Sequence, residues 1–186
     1  MILREAARLF HERGFHGTSI SEIGAAAGVK GPTVYRHFSD KNAVLVALIE
    51  RSADRSESDV AQVRRDGGTP AELLARLIGV QVCQAVEDGP VTAVAAREVR
   101  NLPAGTSEPL LRRARLNHEL WTGLLAQARP ELAKDEAHAL VTGVKWLIFT
   151  LATGRTGLET DRLHRLIAGM VLDVLLPGCP RRAEPG

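Results

Sequence analysis

The sequence predicts an all-α protein of about nine helices, a short three-helix unit leading into a larger helical domain. Three observations predict it. Apolar residues recur at helical spacing along almost the whole chain. No segment alternates apolar and polar residues as a half-buried strand does. Capping boxes, glycines and prolines punctuate the chain at helix-length intervals.

The first helix carries Ile2, Leu3, Ala6, Leu9 and Phe10 as one stripe and ends near Gly14. Ser19-Ile-Ser-Glu22 reads as a capping box, in which hydroxyl and carboxylate satisfy each other's backbone amides. A short helix over 20–27 follows, and Gly28 stops it. Pro32 suits the first turn of a third helix, where its missing N–H costs nothing. That helix is predicted to reach Phe38. Ser39-Asp40 then caps a fourth helix to about Ala53.

Arg64 to Gly68 reads as a loop, and Thr69-Pro-Ala-Glu72 as a second capping box opening a helix to Glu87. Gly89-Pro90 restarts a helix that ends before Pro103. Ser107 opens a long helix to about Arg129, broken by Pro130. The last two helices span about 135–152 and 160–176. The tail 179–186 is expected to be disordered.

Composition excludes several classes. Apolar residues make up 45% and charged residues 25% of 186 residues, ordinary for a globular chain. Cys83 and Cys179 are the two cysteines, without ligand spacing, so neither a disulfide framework nor a metal site is expected. No signal peptide is legible. The longest apolar stretch, 144–152, contains Lys145 and is too short for a bilayer, so a cytoplasmic protein with no membrane partner is expected. No nucleophile–base pair or glycine-rich phosphate loop is present, so no catalytic residue and no cofactor are expected. Net charge is +2, and residues 1–50 carry six basic against five acidic side chains, +1. Charge alone therefore does not indicate nucleic acid; placement must.

The informative stretch is 18–41. Two short helices meet at Ala27-Gly28-Val29, with Gly24 where they cross closely and Gly28 suited to a left-handed turn. Ile20, Ile23, Ala27, Val29 and Val34 supply a small core between them. A generic helical hairpin has the same spacing. The following run, Lys30 to Phe38, presents Lys30, Thr33, Tyr35, Arg36 and His37 on a helix too short to be a core element. That favours a helix-turn-helix whose second helix enters the major groove.

Residues 2–47 resemble the DNA-binding domain of the TetR family of transcriptional regulators. The resemblance rests on Ile2 to Phe10, Gly14-Phe15, Thr18-Ser-Ile20, Ile23, Ala27-Gly-Val29, Tyr35-Arg-His-Phe38 and Lys41. Gly24 stands where the family usually has Ala. Many members carry a basic arm before helix one. Either such contacts are absent here or the native start lies upstream.

The resemblance implies phosphate contacts from Tyr35 and Lys41, with Thr18, Ser19 and His37 nearby. The N-terminus of helix four supplies free N–H groups for the same purpose. Base reading falls to Lys30, Gly31, Pro32, Thr33 and Arg36. Here Lys30 and Arg36 suit guanine, and Pro32 and the Thr33 methyl suit thymine methyls. Domain boundaries are expected at 1–46 for the helix-turn-helix and 47–178 for effector binding and dimerisation.

The eighth helix is apolar almost all round, which calls for two burial partners. One is its own core and the other is expected to be a second subunit. The resemblance implies a homodimer through the last two helices, with Leu140, Val144, Ile148, Leu163, Ile167, Met170, Val171 and Val174 at the interface. Two-fold symmetry then implies double-stranded DNA with near-palindromic half-sites about 34–36 Å apart. Gln81, Glu98 and His118 interrupt apolar stripes on helices five, six and seven, the last beside Trp121. They either satisfy one another or line a cavity for a small-molecule effector. An apolar or amphipathic effector that releases a repressor from DNA is the expected function. An effector-independent regulator or an activator is the alternative.

Overall fold

The computed structural model describes residues 1–154 and 156–178, with the side chains of 31 and 104 left out. Among these residues there are nine α-helices, one 3-10 turn and no strand. The helices are α1 (Ile2–Arg13), α2 (Ile20–Ala26), α3 (Gly31–Tyr35), α4 (Lys41–Arg65), α5 (Pro70–Glu87), α6 (Gly89–Glu98), α7 (Ala104–Ala128), α8 (Lys134–Thr153) and α9 (Thr160–Leu175). The 3-10 turn, Val99–Asn101, follows α6 directly. The predicted tail 179–186, including Cys179, lies outside the described residues.

Three boundaries differ from the sequence reading. Helix α3 stops at Tyr35, and Val34 closes the turn by accepting from the His37 and Phe38 amides at 3.0 Å each. Helix α4 runs twelve residues past Ala53, to Arg65. Its serine-rich middle has modest helix propensity, but Val63 is buried in a core, and packing outweighs propensity. Helix α7 starts at Ala104, because the Pro103 carbonyl accepts from the Thr106 and Ser107 amides at 2.8 and 2.9 Å. Pro109 sits inside it and forgoes one helical hydrogen bond.

The chain forms two compact units, and the division falls within α4 and α7. The first unit comprises residues 1–55 and 88–114. Its core joins Leu9 and Phe10 of α1, Ile23 of α2, Val44, Leu45 and Leu48 of α4, Val94 of α6, and Leu110 of α7. Helix α6 therefore packs directly on α1. The second unit comprises 56–87 and the chain from 115 on. Leu74, Leu77 and Ile78 of α5, Trp121 and Leu125 of α7, Val141 of α8, and Ile167, Val171 and Leu175 of α9 build its core. Each large side chain buried there contributes about 1.5–3 kcal/mol relative to exposure.

Candidate nucleic-acid interface

The α2–α3 corner is held by three local devices. Ser19 caps α2: its Oγ accepts from the Glu22 amide at 3.2 Å, while the Glu22 carboxylate accepts from the Ser19 amide at 2.8 Å and from its hydroxyl at 2.7 Å. These bonds hold the Glu22 carboxyl below its usual range, with help from Arg13 at 3.0 Å. Gly28 has φ +68°, and the amides of Gly28 and Val29 donate to the carbonyls of Ala25 and Gly24 at 3.1 and 2.9 Å. That is a Schellman closure, which requires a left-handed residue. Gly24 is buried, as the close helix crossing demands.

Helix α3 buries Val34 completely and half-buries Thr33. Lys30, Pro32, Tyr35, Arg36 and His37 are exposed. Among the described residues, Lys30, Tyr35, Arg36 and His37 make no side-chain hydrogen bond or ion pair. A helix anchored by one apolar residue thus presents two cations, a phenol and an imidazole with unspent donors.

Thr18 behaves differently from its sequence assignment. It is buried, and its hydroxyl donates to the carbonyls of Gly14 at 3.0 Å and Leu9 at 3.3 Å, so it fastens α1 to the corner rather than facing solvent. Ser19 is exposed, but its hydroxyl is engaged by Glu22. Lys41 donates to the Thr18 carbonyl at 2.9 Å and the His16 carbonyl at 3.4 Å, with its ammonium 4.5 Å from the Phe15 ring centroid. One of its three N–H groups remains free of these bonds. The α4 N-terminus is also less vacant than expected, because Asp40 Oδ1 accepts from the Ala43 amide at 2.8 Å.

In the second unit a polar network crosses the apolar core. Gln81 on α5 donates to Ser56 Oγ on α4 at 2.5 Å, and Asn117 on α7 donates to the same oxygen at 3.4 Å. Lys145 on α8 donates to Asn117 Oδ1, and its ammonium lies 4.5 Å from the Trp121 ring centroid. Burial pushes the Lys145 ammonium down to about 8. His118 on α7 pairs with His138 on α8, Nε2 to Nδ1 at 3.2 Å. Burial lowers the His118 pKa first, and the charge of Lys145 lowers it further. Trp121 is fully buried and its indole N–H has no partner among the described residues.

Gln81, His118 and Trp121 thus share one unit. Glu98 lies outside it. It belongs to the first unit, where its carboxylate accepts from Asn101 at 3.3 Å.

The apolar face of α8 and α9 is partly consumed within the chain. Val144, Ile148, Leu163, Ile167 and Val171 are buried in the second unit's own core and present almost no surface to a partner. Leu166, Met170 and Val174 are exposed at four-residue spacing on α9. Beside Val174 lies an open, mainly apolar groove lined also by Leu132, Ala139, Leu140, Gly143, Val144 and Leu147, with Glu136 as its one charged member.

Residues 2–48 match the bacterial regulatory proteins of the tetR family. Over that segment the chain is similar to TetR-family regulators. The transcriptional activator FasR of Mycolicibacterium smegmatis is 38% identical over 64 residues, covering 34% of this chain and 29% of its own. Such N-terminal matches span under a third of those relatives' length. The transcriptional repressor KstR2 of Rhodococcus jostii is 27% identical over 94% of this chain and 89% of its own. The TetR-type fold extends over both units. The structure of AibR in complex with isovaleryl coenzyme A and operator DNA superposes with a TM-score of 0.76, at 22% identity, over 95% of this chain and 96% of AibR.

Within this TetR-type framework, the sequence reading missed Ser56, Asn117, His138 and Lys145. Lys145 was legible as a charge inside an apolar run, and served there only to argue against a membrane span. The contacts of Ser56 and Asn117 depend on α4 being longer than its propensities suggest.

Proposed function

We propose that this chain is a homodimeric, one-component transcriptional regulator that binds near-palindromic double-stranded DNA through α3. The observation that carries the reading is the α3 surface: Lys30, Tyr35, Arg36 and His37 stand exposed and, among the described residues, make no side-chain hydrogen bond or ion pair, on a helix fixed from behind by Val34. Lys30, Gly31, Pro32, Thr33 and Arg36 read base edges, while Tyr35, His37 and the remaining N–H of Lys41 meet phosphates. The operator DNA named with AibR supports the same use of the fold.

Dimerisation runs through the exposed α9 stripe Leu166, Met170 and Val174 and the neighbouring α8 groove that includes Leu140. Exposed apolar residues at helical spacing beside an apolar groove form the kind of surface that a second copy covers. An apolar or amphipathic small molecule binds in the second unit near Gln81, His118 and Trp121 and shifts the population away from the DNA-competent conformer. Helix α4, continuous from Lys41 to Arg65, carries the shift toward the reading head. Repression is the reading favoured by the long match to the repressor KstR2; activation, as in the activator FasR, is the alternative. The relatives are regulators, which supports a binding function rather than turnover. No described helix is long and apolar enough to cross a membrane, and a DNA-binding role places the protein in the cytoplasm.

Fluorescence anisotropy against a set of labelled palindromic duplexes tests this. Sequence-selective binding with a steep salt dependence is expected, because phosphate contacts release counterions. Equal binding to every duplex at physiological salt would overturn it.

A further inference from the structure

The polar network of the second unit has more donors than acceptors. Lys145 has three N–H groups and spends one on Asn117 Oδ1. Ser56 Oγ accepts from both Gln81 and Asn117, which leaves its own proton without a named acceptor. The Trp121 indole N–H is fully buried and unpaired among the described residues. Among the described residues, no aspartate or glutamate forms a salt bridge with Lys145. His118 feels the charges of Lys145, His138 and Glu119, and Glu119 forms no salt bridge with Lys145 among the described residues.

An ammonium taken out of water without a counter-ion costs several kcal/mol, and a folded chain keeps such a group where something else supplies the charge. Here burial lowers the ammonium's pKa, yet it still leaves a large protonated fraction near neutral pH. Its surroundings are an indole face, an amide oxygen and an apolar core built from α5, α7, α8 and α9. What is missing from that set is an acceptor that carries negative charge and offers several lone pairs.

We infer that the effector of the second unit is an amphipathic carboxylate whose anionic head is held by Lys145, with Ser56 as its hydrogen-bonding neighbour. The assignment rests on the reading that this unit binds a small molecule, and it deepens that reading by naming the head group. A carboxylate is acceptor-only and matches the unspent Lys145 and Ser56 donors with charge-assisted hydrogen bonds. The apolar tail would meet the Leu, Ile and Val side chains of the core built from α5, α7, α8 and α9. An uncharged amide of the same length brings donors of its own into a site that already has too many.

The test uses the full chain with Trp146→Phe, which leaves Trp121 as its one tryptophan. Decanoate and decanamide, both below their aggregation limits, are titrated while Trp121 emission is followed. Decanoate should give a saturable change, with decanamide weaker by roughly tenfold or more. Lys145→Met should abolish that preference, and Lys145→Arg, which keeps the charge, should restore part of it. Thermal melts confirm folding, and the comparison of the two probes on the parent needs no Lys145 variant at all.

Equal affinity for the two probes overturns the proposal. So does a preference that survives Lys145→Met, or an absence of decanoate binding up to its solubility. DNA binding by the unliganded protein is measured separately. Palindrome binding without carboxylate preference would refute the head-group assignment alone. Carboxylate preference without palindrome binding would refute the DNA reading and leave this one standing.

Discussion

The Lys41 ammonium donates to the Thr18 carbonyl at 2.9 Å, and the Thr18 hydroxyl donates in turn to the carbonyl of Gly14 at 3.0 Å. The two residues link the start of α4 to the end of α1 through the turn that precedes α2. A cation expected to touch DNA therefore also holds the corner of the reading head. Its ammonium also lies 4.5 Å from the Phe15 ring centroid.

Thr18→Val and Lys41→Met separate these two roles. Thr18→Val deletes a buried donor and leaves the Gly14 and Leu9 carbonyls short of a partner, a loss of about 1–3 kcal/mol in a urea titration. It should weaken DNA binding without changing its salt dependence. Lys41→Met should lower the slope of log K against log salt by about 1, the signature of one lost phosphate contact. An unchanged slope would show that Lys41 serves the fold alone.

Arg36→Ala and Tyr35→Phe distinguish base reading from phosphate contact. Both side chains are exposed and, among the described residues, make no hydrogen bond or ion pair, so neither change should alter thermal stability appreciably. Arg36→Ala should relax preference at one operator position, worth about 1–3 kcal/mol, when affinities are compared across single-base variants. Tyr35→Phe should weaken every duplex by a similar factor. If Arg36→Ala weakened all duplexes alike, the guanidinium would be a phosphate contact.

The reading head was legible because its constraints are local. Ser19 and Glu22 meet within one turn, and Gly28 acts through its own φ, so sequence spacing reports both directly. Val34 and Phe10 were assigned to the core by periodicity and are buried there. The second unit was legible only as stripes. Period 3.6 marks a broad apolar face, but it does not divide that face between a chain's own core and a partner. Ile167 and Met170 sit one turn apart on α9, and only the packing of α5 and α8 makes the first buried and the second exposed. Ser56 was lost for another reason. A serine-rich segment reads as a helix end until Val63, seven residues later, is seen buried in a core.

That division on α9 gives a test of the dimer. Val174→Glu places a carboxylate on the exposed stripe, where the monomer tolerates it and a partner does not. Light scattering should report a monomer with an intact helical spectrum. Ile167→Glu buries an unpaired charge in the second unit's core and should cost 3 kcal/mol or more, on the order of a lost buried-pair partner, unfolding the chain instead. If Val174→Glu stayed dimeric, the subunits would meet on another surface.

Lys145 sets a pH dependence whose sign is opposite to that of an ordinary salt-bridged lysine. Its pKa falls from 10.5 in the unfolded chain to about 8 in the native one, because burial disfavours the ammonium. Between those values the unfolded chain binds the extra proton, so this group's contribution to stability rises with pH across the window. Below the native value the full penalty is present, about 3 kcal/mol; above the unfolded value it is gone. Comparing the parent with Lys145→Met cancels the titrating groups that do not feel the Lys145 charge; His118, which that charge pushes down, is the exception. The variant should be the more stable of the two near pH 7, and the gap in urea midpoint should narrow toward pH 10. A saturating carboxylate ligand should reverse the order at neutral pH, because its charge removes the penalty in the parent and finds no cation in the variant. A gap that stays constant from pH 7 to 10 would mean that the ammonium remains hydrated in the native state.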